Sequence, residues 1–225
     1  MGIIGLEKAN HLFWLGRYTE RVFTTLRTFF KYYDGTLENK VPHYPEYCKR
    51  LAINNIYMSA VDFKERYLFD EENMDSIYTT LLRAYDNAIV MRNDISTESL
   101  AYIELAIDSF RKARESEAPI VSLQPVIDYI FAFWASIDDF MLNEESRNII
   151  KCGKYIERMD LLLRLKDESY NPKADFIRLE SRIKKVDLCY NKEYLTELGM
   201  LYTKNNYLLK DPAQAIFLIE NIFNV

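Results

Sequence analysis

Residues that make turns are scarce: six glycines and six prolines in 225 residues. That excludes a chain of many tight hairpins and favours long helices. Cysteine is scarce as well. Cys48, Cys152 and Cys189 are odd in number and widely scattered, with no Cys-x-x-Cys. A disulfide framework and a zinc site are both unexpected, and the thiols read as reduced ones in a cytoplasm. Only His11 and His43 are present, and neither follows a glutamate by three residues, so a di-iron bundle lacks its Glu-x-x-His ligands. With no Gly-rich phosphate loop, no cofactor is expected, and any ATP would be bound by another protein.

Positive charge is also lacking. Lys plus Arg number 29 against 34 Asp plus Glu, a net charge of -5 without any basic tract. Nucleic acid and anionic membrane surfaces are therefore poor partners. The start has no basic region of a signal peptide, and Leu6 stands where a myristoylation signal needs Ser or Thr. The best apolar run, "YIFAFWASI", lies between Asp128 and Asp138 and is read as far short of a membrane span. These absences together point to a soluble cytoplasmic protein forming one helical domain over residues 1–225.

What is present is helical periodicity. A first helix is expected from Ile4 to Tyr33, ending at Asp34-Gly35, and a short one from Pro45 to Asn54. The stretch Ile56 to Phe69 is ambiguous between a strand-like connector and an irregular turn. A helix is read from Asp70 to Arg92, then one from a Ser96 cap to Ser116, ended by Pro119. Ser122 is expected to cap a helix to Leu142, and Asn143 the next. Two or three shorter helices lie beyond Pro172, the last opened by Asp211-Pro212. The fold class is all-α: a single-domain bundle of seven or eight helices.

Two of these helices share a pattern. Leu12–Thr28 aligns with Ile149–Leu165 at an offset of 137, matching Gly16, Tyr18, Glu20, Arg21, Leu26 and Arg27 with Gly153, Tyr155, Glu157, Arg158, Leu163 and Arg164. Lys154 faces Arg17. Chance would give roughly one identity, so two internally repeated Gly-x-Tyr-x-Glu-Arg helices near the bundle centre are expected.

On a helical wheel Leu12, Leu15, Val22, Phe23, Leu26 and Phe30 form one apolar face, with Gly16, Glu20 and Arg27 on a neighbouring stripe. Arg17, Arg21 and Thr24 lie opposite, which predicts an exposed Arg17. In the second segment that opposite side carries Ile150, Leu161 and Leu165, the mark of an interior helix. Its Glu157 and Arg158 are then buried charges that need partners. The glycines leave room for a close backbone; Glu20 shares a face with Arg27, and Glu157 with Arg164, and the two repeat-related helices are expected to exchange Glu–Arg pairs across a pseudo-twofold axis. Asp160, on the apolar side, is a candidate half of a buried pair with Arg164. Two readings stand: a structural clasp, or a pocket whose arginines (Lys154 beside them) grip an anionic ligand.

"HLFWLGRYTERVFTTLR" and "IIKCGKYIERMDLLLRL" resemble the bacterial alpha-E domain family, a helical domain with an E-R motif. "YDNAIVMRNDISTES" is similar to that family's internal segment, matching at Asn87, Ala88, Arg92, Ser96 and Glu98; Asn87 and Arg92 thereby join the candidates. The resemblance covers about Ala9 to Arg164. It implies a helical fold and genomic company with circularly permuted ATP-grasp ligases and transglutaminase-like peptidases, hence a part in ATP-dependent making or tagging of small peptides. The expected function is a non-catalytic helical partner that positions the ligase or its peptide substrate. The alternative is an enzyme or small-molecule binder, taking a carboxylate- or phosphate-bearing ligand, with Glu20 or Glu157 as general base.

Other chemistry reads as structure. Glu7 and His11 suit a helix-surface pair, and Cys152 a core position. Asp138-Asp139 and Glu144-Glu145 diverge on a helix and suit a solvated face or a helix start. Phe131, Phe133 and Trp134 suit bundle packing.

Overall fold

The computed structural model describes residues 4–37, 44–186, 190–203 and 212–223. His43, Cys189 and Asp211 lie outside them. Among the described residues the chain is helical without a strand, apart from one isolated bridge between Tyr190 and Phe223. Eleven helical segments are found among them, more than the seven or eight expected.

The first is α1, Leu6–Leu37, which runs on through Asp34-Gly35 instead of stopping there. Next come α2, Tyr44–Leu51, and α3, Ala60–Phe69. The ambiguous stretch is thus largely a helix, capped by the Ser59 side chain on the Asp62 amide. The helix α4, Ile77–Val90, starts later than Asp70 because the acidic stretch makes its own turn. There Asp70 Oδ1 takes the Glu72 amide, Asn73 Oδ1 takes the Asp75 amide, and Ser76 caps the helix.

Ser96 caps α5, Thr97–Arg114, as expected. Ser122 does not act as an N-cap: it ends a single turn, α6, Pro119–Ser122, and α7, Gln124–Phe140, begins directly after. Asn143 caps α8, Glu144–Leu165, with Oδ1 on the Ser146 amide. A left-handed Lys166 (φ 54°) stops it, and a left-handed Ala52 (φ 56°) comes after α2 before Asn54 is reached. Three helices complete the chain: α9, Pro172–Ile183, α10, Lys192–Thr203, and α11, Ala213–Glu220, where Pro212 is the N-cap.

The pair α1 and α8 is the most extensively packed, with α4 on α1, α9 and α11 on α8, and α5 against α7. Contacts of α1 with α8 and the turn just after it keep a nearly constant spacing along the chain: Arg17 meets Glu157, Glu20 meets Arg158, and Lys31 meets Asp167. The two helices therefore run in the same direction, which requires everything between them to return the chain. Leu12, Leu15, Val22, Leu26 and Phe29 of α1 are buried with Ile149, Ile150, Ile156 and Leu161 of α8. Phe29, not Phe30, completes the apolar face of α1.

The apolar stretch around α7 is longer than its sequence suggested. Pro119–Phe140 is long and apolar enough, by length and composition alone, to match a membrane span. In this fold Val126, Ile130, Phe133 and Ile137 turn inward, and Ser136 bonds Ser99 of α5 at 2.7 Å, which is how a core helix behaves.

At the α1–α8 crossing two glycines meet the opposite backbone. A Cβ on Gly16 would lie 2.0 Å from the Ile150 carbonyl oxygen, and one on Gly153 would lie 2.2 Å from that of Phe13. Backbone cannot yield as a flexible side chain can, so the helices would have to separate. We expect Gly153→Ala to cost about 3 kcal/mol or more, the upper end for overpacking. Gly5→Ala, where nothing lies within 4 Å, should leave the urea midpoint unchanged. An unaltered midpoint for Gly153→Ala would refute the close crossing.

Candidate functional site

Just beyond the glycines, the Glu-Arg pairs of α1 and α8 interlock. Glu157 is 1% exposed and sits between two guanidiniums, with Arg17 Nε at 2.6 Å from Oε2 and Arg21 Nε at 2.5 Å from Oε1. Glu20 is fully buried and accepts from Arg158 Nε at 2.6 Å and from the Thr24 hydroxyl at 3.0 Å. The Arg21–Glu157 and Arg158–Glu20 bonds are reciprocal across the crossing. Burial pushes Glu157 up, yet Arg17 and Arg21 outweigh it and hold the carboxyl below its ordinary range. Arg158, despite burial, is held above its ordinary value by Glu20.

The reciprocity stops at one position. Arg17 supplies the second bond to Glu157, but Lys154, its counterpart, lies 4.0 Å from the Trp134 ring centre and gives Glu20 no hydrogen bond. Glu20 Oε2 is left buried without a partner among the described residues, as is Trp134 Nε1. Burial lowers the Lys154 amine to about 8, against the pull of Glu20.

Several sequence expectations change here. Arg17 and Arg21 do not face away from the core; both reach across to α8. A helical wheel ranks the faces of α1 by apolarity, and α8 approaches the polar one because the glycines admit it. Arg17, with a side chain 15% exposed, also lies over Trp14 at 5.0 Å, so its expected exposure is wrong. Arg27 does not pair with Glu20. It is exposed, lies 5.3 Å over the Phe23 ring, and makes no ion pair among the described residues. Arg164 pairs not with Glu157 but with Asp160 at 2.7 Å, the pair its spacing suggested, and with Glu220 of α11 at 2.5 Å.

Asn87 stands apart from the clasp, its Oδ1 2.9 Å from His11 Nδ1, so His11 joins α1 to α4 instead of pairing with Glu7 on the surface. Arg92 lies exposed in the turn after α4. Cys152 is a core residue, its thiol pushed up by burial. Asp138 is half-exposed but holds the buried Lys151. Glu144 and Glu145 do occupy a helix start, the first turn of α8.

Sequence reasoning missed Asp175 and Thr24. Asp175, in the first turn of α9, is buried, 3.6 Å from Arg158, 2.9 Å from Arg178, and accepts from the Tyr170 hydroxyl at 3.2 Å. Its position after Pro172 reads only as a helix-start acid. Thr24 carried a usable signal, since it stands four residues after Glu20 on one helix.

Beside the clasp, α1, α8 and the start of α9 enclose a groove of about 340 Å³, with Arg158 in its wall and Phe131 of α7 at its edge. Phe131 is 53% exposed, contrary to its reading as bundle packing, and meets Phe23 edge-on at 4.7 Å. A second hollow of about 200 Å³ adjoins it, sharing Thr28, Lys31 and Asp167. The 3.2 Å Lys31–Asp167 bond lies between them.

The family model Alpha-E, described as a predicted alpha-helical domain with a conserved ER motif, matches residues 8–198. The match reaches past Arg164 through α9 and most of α10. Neither a curated protein nor a solved structure matches the chain.

The clasp geometry ranks its arginines. Among the described residues Arg158 is the sole guanidinium on Glu20, so Arg158→Ala strands a buried carboxylate, at a cost on the order of 3–5 kcal/mol. Arg17→Ala leaves Arg21 on Glu157 and should cost less, though clearly more than the ~1 kcal/mol of an exposed pair. Urea melts that ranked Arg17→Ala as the more damaging would contradict the bonding described.

The buried acids also set a dependence on pH. Burial, aided by Glu157 and opposed by Arg164, raises Asp160 from 3.8 to about 6. Its folded pKa exceeds the unfolded one, so its contribution is fully present below pH 3.8 and lost as pH rises through about 6. Glu157 has the opposite sign: its contribution is present above pH 4.5 and lost on acidification through its lower folded pKa. Asp160→Asn keeps an acceptor for Arg164 while removing the first loss. The variant should therefore gain on the parent protein between about pH 4 and pH 7. A constant difference in urea midpoint at those two pH values would be the contrary result.

Proposed function

The chain belongs to the Alpha-E family, and on that footing we propose that it is a non-catalytic helical partner module in a bacterial, cytoplasmic peptide-modifying system. In this reading it positions a circularly permuted ATP-grasp ligase, or the peptide that ligase acts on, alongside a transglutaminase-like peptidase. The observation that supports it is the burial of the motif itself. Both motif carboxylates are closed off from solvent, and each is bound by arginine of the opposite helix. A general base must reach a substrate proton and carry a pKa near the working pH, whereas Glu157 is held low and sealed in. The motif thus serves the scaffold, and recognition falls to the surface around it. The alternative, acid–base catalysis by Glu20 or Glu157, is disfavoured by the burial of both carboxylates.

The test is direct. The protein should co-purify with a circularly permuted ATP-grasp ligase of the same bacterium, and that ligase's ATP turnover on peptide should fall when the protein is withheld. The parent protein and Glu157→Gln, where it folds, should support the ligase equally. No association at high micromolar concentration would sink the proposal. Loss of ligase support by a normally folded Glu157→Gln would restore the catalytic alternative.

A further inference from the structure

We propose that the groove beside the clasp binds the C-terminal carboxylate of a short peptide, with Arg27 as its anion contact. The inference deepens the partner-module reading by giving one site on this chain a ligand class, and it rests on which groups there are already engaged. Arg158 is committed to Glu20 and Asp175. Lys31 is bonded to Asp167. Of the three cations lining the groove, Arg27 is the one with no carboxylate among the described residues, and it is held over Phe23 with its guanidinium open to solvent. A planar fork so placed takes a carboxylate bidentately.

The hydroxyls decide what the carboxylate is attached to. Thr24 gives its proton to Glu20, Thr28 donates to the Thr24 carbonyl, Ser169 donates to Asp167, and the Tyr170 hydroxyl donates to Asp175. Each of these wall hydroxyls has spent its proton on the protein, so toward the groove each offers only lone pairs. Such a wall accepts N–H groups. It repels an oxygen-rich dianion, and the Asp167 and Asp175 carboxylates add to that repulsion. One open cation, a wall of acceptors and an aromatic edge at Phe131 together complement a chain of amides ending in a single negative charge. The volume of about 340 Å³ falls at the small end of ligand pockets, which run roughly from 300 to 1,000 Å³.

The experiment is calorimetric titration of the full chain, without any ligase, by a tripeptide with a central phenylalanine and a free C-terminus. Binding in the high-micromolar range is expected. Amidating the C-terminus should weaken it by about tenfold or more, and Arg27→Ala should do the same, since each removes one half of a charge-assisted pair. Phe131→Ala should weaken it less, and inorganic phosphate should not displace the peptide. Arg27 is exposed, so Arg27→Ala should keep nearly the parent's urea midpoint, whereas Phe131→Ala gives up its edge-on contact with Phe23 and should lower the midpoint modestly while the protein stays folded under the titration conditions. No binding at about 10 mM peptide, equal affinity for the amide, or an unchanged affinity in Arg27→Ala would each overturn the assignment. Competition by phosphate would also overturn it, in favour of a general anion site. Failure here leaves association with the ligase to be judged by its own experiment.

Discussion

Two carboxylates lie at the centre of this bundle where water does not reach, and they are tolerable only because α1 and α8 lend each other arginines. Removing such a charge from water costs several kcal/mol after relaxation, and the Coulombic return rarely exceeds that by much. The interlock is therefore better understood as a device for register than as a source of net stability. A slip of one residue along α1 would bring Arg21 away from Glu157 and Glu20 away from Arg158 at once. It would also bring a side chain against the carbonyl that now sits on Gly16. Apolar packing alone tolerates such slips far better, because Leu, Ile and Phe replace one another with modest penalties.

Register at the crossing then organises the remainder. Because α1 and α8 run in parallel, the segment from α2 to α7 has to bring the chain back, and it does so by packing on both. α4 lies along α1, α7 supplies Trp134 beside Lys154, and Phe131 reaches the edge of the groove. Downstream, α9 and α11 cover α8 and contribute Asp175 and Glu220 to the arginines that α8 projects. The arginines are thus shared among elements distant in sequence, which ties the C-terminal helices to the central pair.

Much of this was legible in the residues. Ser96 and Asn143 announced their helices because a cap is a local event, settled within three residues. The apolar surroundings of "GKYIER" announced an interior helix, and the two glycines a close approach. What could not be read was direction. Arg17 and Arg21 looked solvated because the wheel of α1 shows its own apolar face, not the neighbour that arrives on another. Arg27 looked like a partner of Glu20 on angular grounds, yet it lies nearly two turns further along, where the helix has emerged from the crossing. Asp175 and Phe131 were invisible as site residues for a related reason. Their roles depend on where α9 and α7 end up, and no local pattern encodes that placement. Where α4 begins was misjudged because Asp70 and Asn73 favour turns as readily as helix starts.

The parallel pairing of α1 with α8 also bears on how the chain reaches this state. Its central contact joins segments some 137 residues apart, so the loop entropy for closing it is roughly 4 kcal/mol above that of adjacent residues. The α4–α5 and α5–α7 contacts are between near neighbours and carry no such penalty. Nascent structure should accordingly gather in the middle of the chain while Glu20 and Glu157 are still hydrated. The last major step should then be the docking of α1 on α8, in which both carboxylates exchange water for guanidinium. A chain that must dehydrate two carboxylates and three guanidiniums together late in assembly has a sharp final barrier, and the same barrier, met from the folded side, slows its opening.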